Sequence, residues 1–312
     1  MLTLRQLFAT LLTASLITET IFATEGKEKP QRDKKERVEN EAKAENREKR
    51  RRDKRKKKKD EPAFMAEVPD SGLTKDMTFE QFKGFDGAVL EAKSGYALGY
   101  RYKVMSPNNT SQKKYPLFIV FHGMGRIGKD NKRQVPQGLP LVKELEELKV
   151  NAIVVQPQTA AGWAQKMEDG SKPVLSAVVE MIDYFIANKS VNPDRVYVLG
   201  NSMGCGGVYN MDFDYPEYLA GAVPVVGGAL HERAAEMKKL PLWMFSAQKD
   251  MKSRAENCRL MLTSLKELGH TNVKHTHYED RSHGDTFSTM FERDKVATWL
   301  LKQKRSKPLV KK

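Results

Sequence analysis

The chain has 312 residues, 54 Lys and Arg against 40 Asp and Glu, a formal net charge of +14 and two cysteines. Two cysteines exclude a disulfide framework and a cysteine-rich metal site, leaving Cys205 and Cys258 to form one bridge or stay as buried thiols. The charge would suit nucleic acid, but residues 25–61 hold 18 basic and 11 acidic side chains, a surplus of 7, so half of the net charge lies in one low-complexity stretch.

In chain order, residues 1–23 read as a secretory signal. Arg5 supplies a positive start, residues 7–17 are mostly apolar, and Ala23 offers a small residue for cleavage, although Ile21 stands where a smaller one is usual. The apolar run is short for a membrane span. The expected location is therefore secreted or periplasmic. Residues 24–76 are a charged low-complexity segment, with almost no apolar side chains over 25–61. Such composition cannot offset its ordering entropy, so disorder is expected. Residues 50–59 are the strongest basic block. Behind an export signal the segment reads as a solvated spacer or a tether to an anionic polymer or membrane surface; no specific nucleic acid is predicted.

The folded domain is expected over residues 77–302, with a basic tail at 303–312. Residues 85–92 and 96–105 read as strands joined by the turn Lys93-Ser94-Gly95, an antiparallel hairpin at a sheet edge. Residues 117–121 are a continuous apolar run and so a central strand. It opens into His122-Gly123-Met124-Gly125, where glycines let backbone N–H groups face a cleft. A helix follows at 139–148 and a buried strand at 152–155, ended by Gln156-Pro157-Gln158. Trp163, in the loop beyond, is a candidate to line a substrate site. Pro173 starts another helix, and Asn192-Pro193-Asp194 turns the chain into the strand 196–199.

That strand runs into Gly200-Asn201-Ser202-Met203-Gly204, a G-x-S-x-G sequence. In this motif the serine sits at the apex of a strained strand-to-helix turn, hydroxyl above the sheet. Strands at 221–226, 242–247 and 273–278 follow, with helices at 253–268 and 286–301. Strands alternating with helices predict a mostly parallel, doubly wound α/β sheet.

A serine hydroxyl needs a base, and the base an orienting acid. In open α/β sheets these groups collect in loops at the carboxyl ends of strands. Asp250 lies three residues past the strand 242–247, and His283 in the loop after the strand 273–278, giving the chain order Ser202, Asp250, His283. The competitors fit less well. His275 and His277 alternate within a strand, His122 precedes the oxyanion glycines, His270 ends a helix and His231 opens a loop. Asp212 and Asp214 are on the helix after Ser202, and Asp280 and Asp285 follow no central strand. The amides of Met203 and of Gly123 or Met124 would stabilise an oxyanion. This chemistry needs no metal and no organic cofactor.

The sequence resembles exported α/β-hydrolases of the esterase, feruloyl-esterase and polyhydroxybutyrate-depolymerase type, including predicted peptidases. The likeness rests on Tyr115-Pro116-Leu117 through Gly125, on Asn192-Pro193-Asp194-Arg195-Val196-Tyr197 leading into the G-x-S-x-G turn, on Pro241 through Asp250, and on Ser282-His283. It implies the α/β-hydrolase fold and the triad Ser202, Asp250 and His283, with the oxyanion position after His122. This chain departs from the family in carrying Ser246-Ala247 where His-Gly is usual, and Ser282 where glycine is usual. The expectation is an exported serine hydrolase acting on carboxylic esters, small-molecule or polysaccharide-borne. The alternatives are a peptidase with the same catalytic groups, and a non-catalytic binding protein using its basic segment.

Overall fold

The computed structural model describes residues 84–106, 114–237 and 240–305. The expected signal sequence, the charged segment and residues 306–312 of the expected tail lie outside these.

Eight strands form one sheet: β1 (Asp86–Glu91), β2 (Ala97–Met105), β3 (Tyr115–Phe121), β4 (Ala152–Gln158), β5 (Val191–Asn201), β6 (Gly221–Val225), β7 (Leu242–Lys249) and β8 (Val273–Ser282). Their order is β1-β2-β4-β3-β5-β6-β7-β8. The β1–β2 and β2–β4 pairs are antiparallel, and the pairs from β4–β3 to β7–β8 are parallel. All carboxyl ends of the parallel strands therefore open on one edge of the sheet.

The helices are α1 (Leu139–Glu147), α2 (Pro173–Asn188), α3 (Met203–Asp214), α4 (Lys252–Glu267), α5 (Thr286–Arg293) and α6 (Val296–Leu301). They cover both faces, which is why the central strands are apolar throughout rather than alternating. Leu117, Ile119 and Phe121 of β3 share one core with Val178 and Met181 of α2, Val208 of α3 and Met261 of α4. Phe118 and Val120 share the other with Leu141 and Leu145 of α1, Met290 of α5 and Leu300 of α6.

Three boundaries differ from those the sequence predicts. β4 runs through Gln156-Pro157-Gln158, because beyond Val155 it pairs with β2 alone and Pro157 has no ladder N–H to lose on its other side. The Asn192-Pro193-Asp194 turn lies inside β5 as a bulge: Tyr115 pairs with Val191 and Leu117 with Val196, so the chain between is pushed out of register, with the Asp194 amide donating to Asn192 Oδ1 at 3.0 Å. The final helix is two. Lys295 takes φ 53°, and α6 restarts with its Ala297 and Thr298 amides donating to the buried Glu144 carboxylate at 3.1 and 3.0 Å. Beyond α6, Arg305 donates to Asp194 Oδ1 and the Glu217 carbonyl. Cys205 and Cys258 are both buried free thiols.

Candidate active site

The turn after β5 is built by close approach. A Cβ on Gly200 would lie 2.4 Å from the Gly204 carbonyl oxygen, and one on Gly204 would lie 2.2 Å from the Phe121 carbonyl oxygen. With no side chain at either place, the chain reverses within one residue and α3 begins at once. Ser202 occupies that residue at φ 55°, ψ −117°, its amide donating to the Val225 carbonyl at 2.9 Å. Backbone strain of this kind persists where the surrounding structure enforces it and is concentrated at functional sites. Met203 is the first residue of α3, so its N–H has no intrahelical acceptor.

The loop after β3 lies beside the serine: a Cβ built on Gly123 would be 3.4 Å from Ser202 Cβ and 3.0 Å from Asn201 Oδ1. Met124 projects outward at 69% exposure. The loop is anchored from beneath by His122. The Thr159 amide donates to His122 Nε2 at 3.1 Å, so the ring hydrogen sits on Nδ1, which donates to the Gly123 carbonyl at 2.8 Å. Burial pushes this histidine down to about 4, outweighing the Gly123 hydrogen bond, and keeps it neutral.

Trp163 belongs to the same anchor, which corrects its assignment to a substrate wall. It is 1% exposed, donates from its indole N–H to the His122 carbonyl at 2.9 Å, and stacks at an angle on Phe121. A buried indole with its one donor satisfied holds the loop in place and presents nothing to a ligand.

A buried amide network, which the sequence reading passed over, fixes the rest of the loop. Gln158 accepts from the Asn131 amide at 2.5 Å and donates to Asp130 and the Arg126 carbonyl. Gln134 donates to Asn131 Oδ1 at 2.7 Å, and Gln156 accepts from the Gly138 amide. Polar side chains at the end of a buried strand were the available signal.

On the other side of the site, Asp250 follows β7 and His283 follows β8. His283 Nδ1 donates to Asp250 Oδ2 at 2.9 Å; the carboxylate is 4% exposed and the imidazole 35%. Asp250 Oδ1 accepts from the Met251 amide at 2.7 Å and from Arg254 Nη1 at 2.9 Å. Burial works against ionisation here, but the hydrogen bonds from His283 and Met251 and the charges of His283 and Arg254 outweigh it, and the carboxyl is held below its ordinary range. Among the described residues the hydrogen-bond partners of the imidazole are both at Nδ1, so Nε2 is open on the ring's far side.

The departures from the family pattern have local roles. Ser282 Oγ donates to Asp285 at 2.5 Å and its carbonyl accepts from Thr286, closing the turn that carries His283. Ser246 Oγ lies between His275 Nε2 at 2.7 Å and His277 Nδ1 at 2.8 Å, so both strand histidines are tied to β7. A cavity of about 170 Å³ is lined by Arg126 of the β3 loop, Asn201 before the serine and Gly284 after the histidine.

The strand order, the two covered faces and the serine turn define the α/β-hydrolase fold, and comparisons with solved structures agree. A thermostable esterase matches 72% of this chain and 64% of its own at 26% identity, with a TM-score of 0.64. A ferulic acid esterase matches 67% of this chain and 95% of its own at 14% identity, with a TM-score of 0.54. In sequence, a poly(3-hydroxyalkanoate) depolymerase C from Paucimonas lemoignei is 42% identical over 52 residues, 17% of this chain and 13% of the depolymerase. The chain thus spans less than two thirds of the length of the thermostable esterase and of the depolymerase. No protein-family model matches it. The chain thus has the α/β-hydrolase fold, with esterases among its structural neighbours.

Proposed function

We propose that this protein is an exported serine hydrolase that cleaves carboxylic esters through an acyl-enzyme on Ser202. The observation that carries the reading is the Asp250–His283 pair, held with Nε2 open at the same sheet edge as the strained serine turn. Ser202 Oγ attacks the ester carbonyl as His283 Nε2 takes its proton. Asp250 holds the tautomer that leaves Nε2 free and stabilises the imidazolium that forms. The amides of Met203 and of Gly123 or Met124 stabilise the oxyanion. The alkoxide leaves with the proton from His283, and water, deprotonated by the same ring, releases the acid. Neither Ser202 Oγ nor His283 Nε2 hydrogen-bonds within the described chain, and such contacts tighten when substrate binds.

The depolymerase match, short as it is, and the resemblance to feruloyl esterases favour esters carried on a polymer, acyl groups on polysaccharide included. The basic segment would tether the enzyme to an anionic surface.

Hydrolysis of short activated esters and of aminoacyl-peptide substrates by the full chain tests the reaction class. The expected result is turnover of the esters, with Ser202→Ala lowering kcat/KM by about a thousandfold or more. Peptide cleavage without ester cleavage would replace the esterase reading with the peptidase one, and activity unaffected by Ser202→Ala would remove the assignment of the nucleophile.

A further inference from the structure

Arg254, on the first turn of α4, belongs to the catalytic pair in a way the triad does not require. Its Nη1 is 2.9 Å from Asp250 Oδ1 and also 2.9 Å from His283 Nδ1. A ring nitrogen carries a hydrogen or a lone pair, not both, so Nδ1 cannot donate to Asp250 and accept from Arg254 together. Accepting from Arg254 would place the hydrogen on Nε2 and leave no base for the serine. It would also set the Asp250 Oδ2 lone pairs against that of Nδ1 at 2.9 Å. Donating to Asp250 avoids this clash, and Arg254 remains satisfied by Oδ1. The carboxylate is thereby gripped at both oxygens: Met251 and Arg254 on Oδ1, the imidazole on Oδ2.

We propose that Arg254 is a positioning residue of this pair: it clamps the Asp250 carboxylate, which in turn holds the His283 ring with Nε2 free. The inference rests on the triad reading above. Removing Arg254 takes away a charge that helps keep Asp250 ionised and leaves Oδ1 with the Met251 amide. The carboxylate is then free to turn, and the ring it orients turns with it.

The other groups around the pair do not supply this charge. On α3 and α4 the thiols of Cys205 and Cys258 are pushed up by burial, Cys258 to about 12. Asp285, on the turn after His283, is engaged by Ser282 Oγ. Lys249, at the end of β7, and Arg281, on β8, act on Asp285.

The test is kcat and KM on an activated ester, with fluorophosphonate labelling in parallel, for the full chain and for Arg254→Lys, Arg254→Gln and Arg254→Ala. The Gln and Ala variants should lower kcat by about 3- to 10-fold with KM unchanged. Arg254→Lys, which keeps the charge, should retain most of the parent kcat. A labelled, active parent whose kcat is unchanged in both Gln and Ala variants overturns this inference alone. A folded parent that neither labels nor hydrolyses removes the triad reading, and this one with it.

Discussion

At position 202 the backbone takes a conformation that few side-chain-bearing residues adopt, and glycines 200 and 204 make it possible by having nothing to collide with. Gly204→Ala would drive a Cβ into the Phe121 carbonyl, rigid backbone that cannot give way; a loss of about 3 kcal/mol or more in urea unfolding is expected. Gly206 stands two residues further along α3, with nothing within 4 Å of a Cβ built on it. Gly206→Ala should raise stability by up to about 1 kcal/mol through helix propensity. Equal effects at the two sites would contradict the close-approach account of the turn. At the same scale, Asp250→Asn should reduce kcat by about 10⁴, since the amide permits the ring tautomer that cannot accept the serine proton.

Residue by residue, the placement of Ser202 and Asp250 was legible because each follows an apolar run that reads as a buried strand, and that of His283 because it follows the last, alternating strand; loops after these parallel strands share one edge. Trp163 was misread. A tryptophan after a glycine in a loop looks the same from sequence whether it faces a ligand or, as here, donates to the His122 carbonyl beneath the loop. Arg254 was invisible, because four residues of spacing from Asp250 becomes a contact only when the chain after β7 turns directly into α4.

Among the elements, the central strands of the parallel region were legible from continuous hydrophobicity. Their ends were not, because ends are set by pairing. β4 keeps its polar Gln156 and Gln158 in the sheet, since these side chains bind the loop that flanks the serine. Glu144 shows the same dependence on partners. A glutamate on α1 reads as solvated, yet it is 3% exposed and caps α6 through two backbone amides and the Thr298 hydroxyl. Glu144→Ala leaves those donors buried without an acceptor and should cost about 2–3 kcal/mol. Glu144→Gln, which retains an acceptor, should cost less. Urea midpoints of the two variants read this directly, and a Gln variant as weak as Ala would argue that charge, not capping, is what α6 needs.

For the whole molecule, the buried His122 and the half-buried His275 set the response to acid. His122 is pushed down to about 4 by burial, against the Gly123 hydrogen bond, and His275 to about 4 by burial and then by His277. In the unfolded chain both titrate near their ordinary value of about 6.5. Between these values the unfolded state binds more protons than the folded one. Stability therefore falls as pH drops below about 6.5, with the loss complete near 4. For the fully buried His122 the contribution is about 3 kcal/mol. Unfolding midpoints measured from pH 7.5 to 4.5 should decline steadily, and the decline should be shallower in His122→Gln; a flat profile would show that the ring is hydrated in the folded state.

The central claim, that Ser202 is an activated nucleophile served by His283, is tested most directly by treating the full chain with a fluorophosphonate probe and locating the adduct by peptide mass spectrometry. The account predicts a single adduct, on Ser202, absent in Ser202→Ala and reduced at least a hundredfold in rate, by order of magnitude, in His283→Ala. A folded chain that takes no label, or one labelled at another serine such as Ser246, would contradict it.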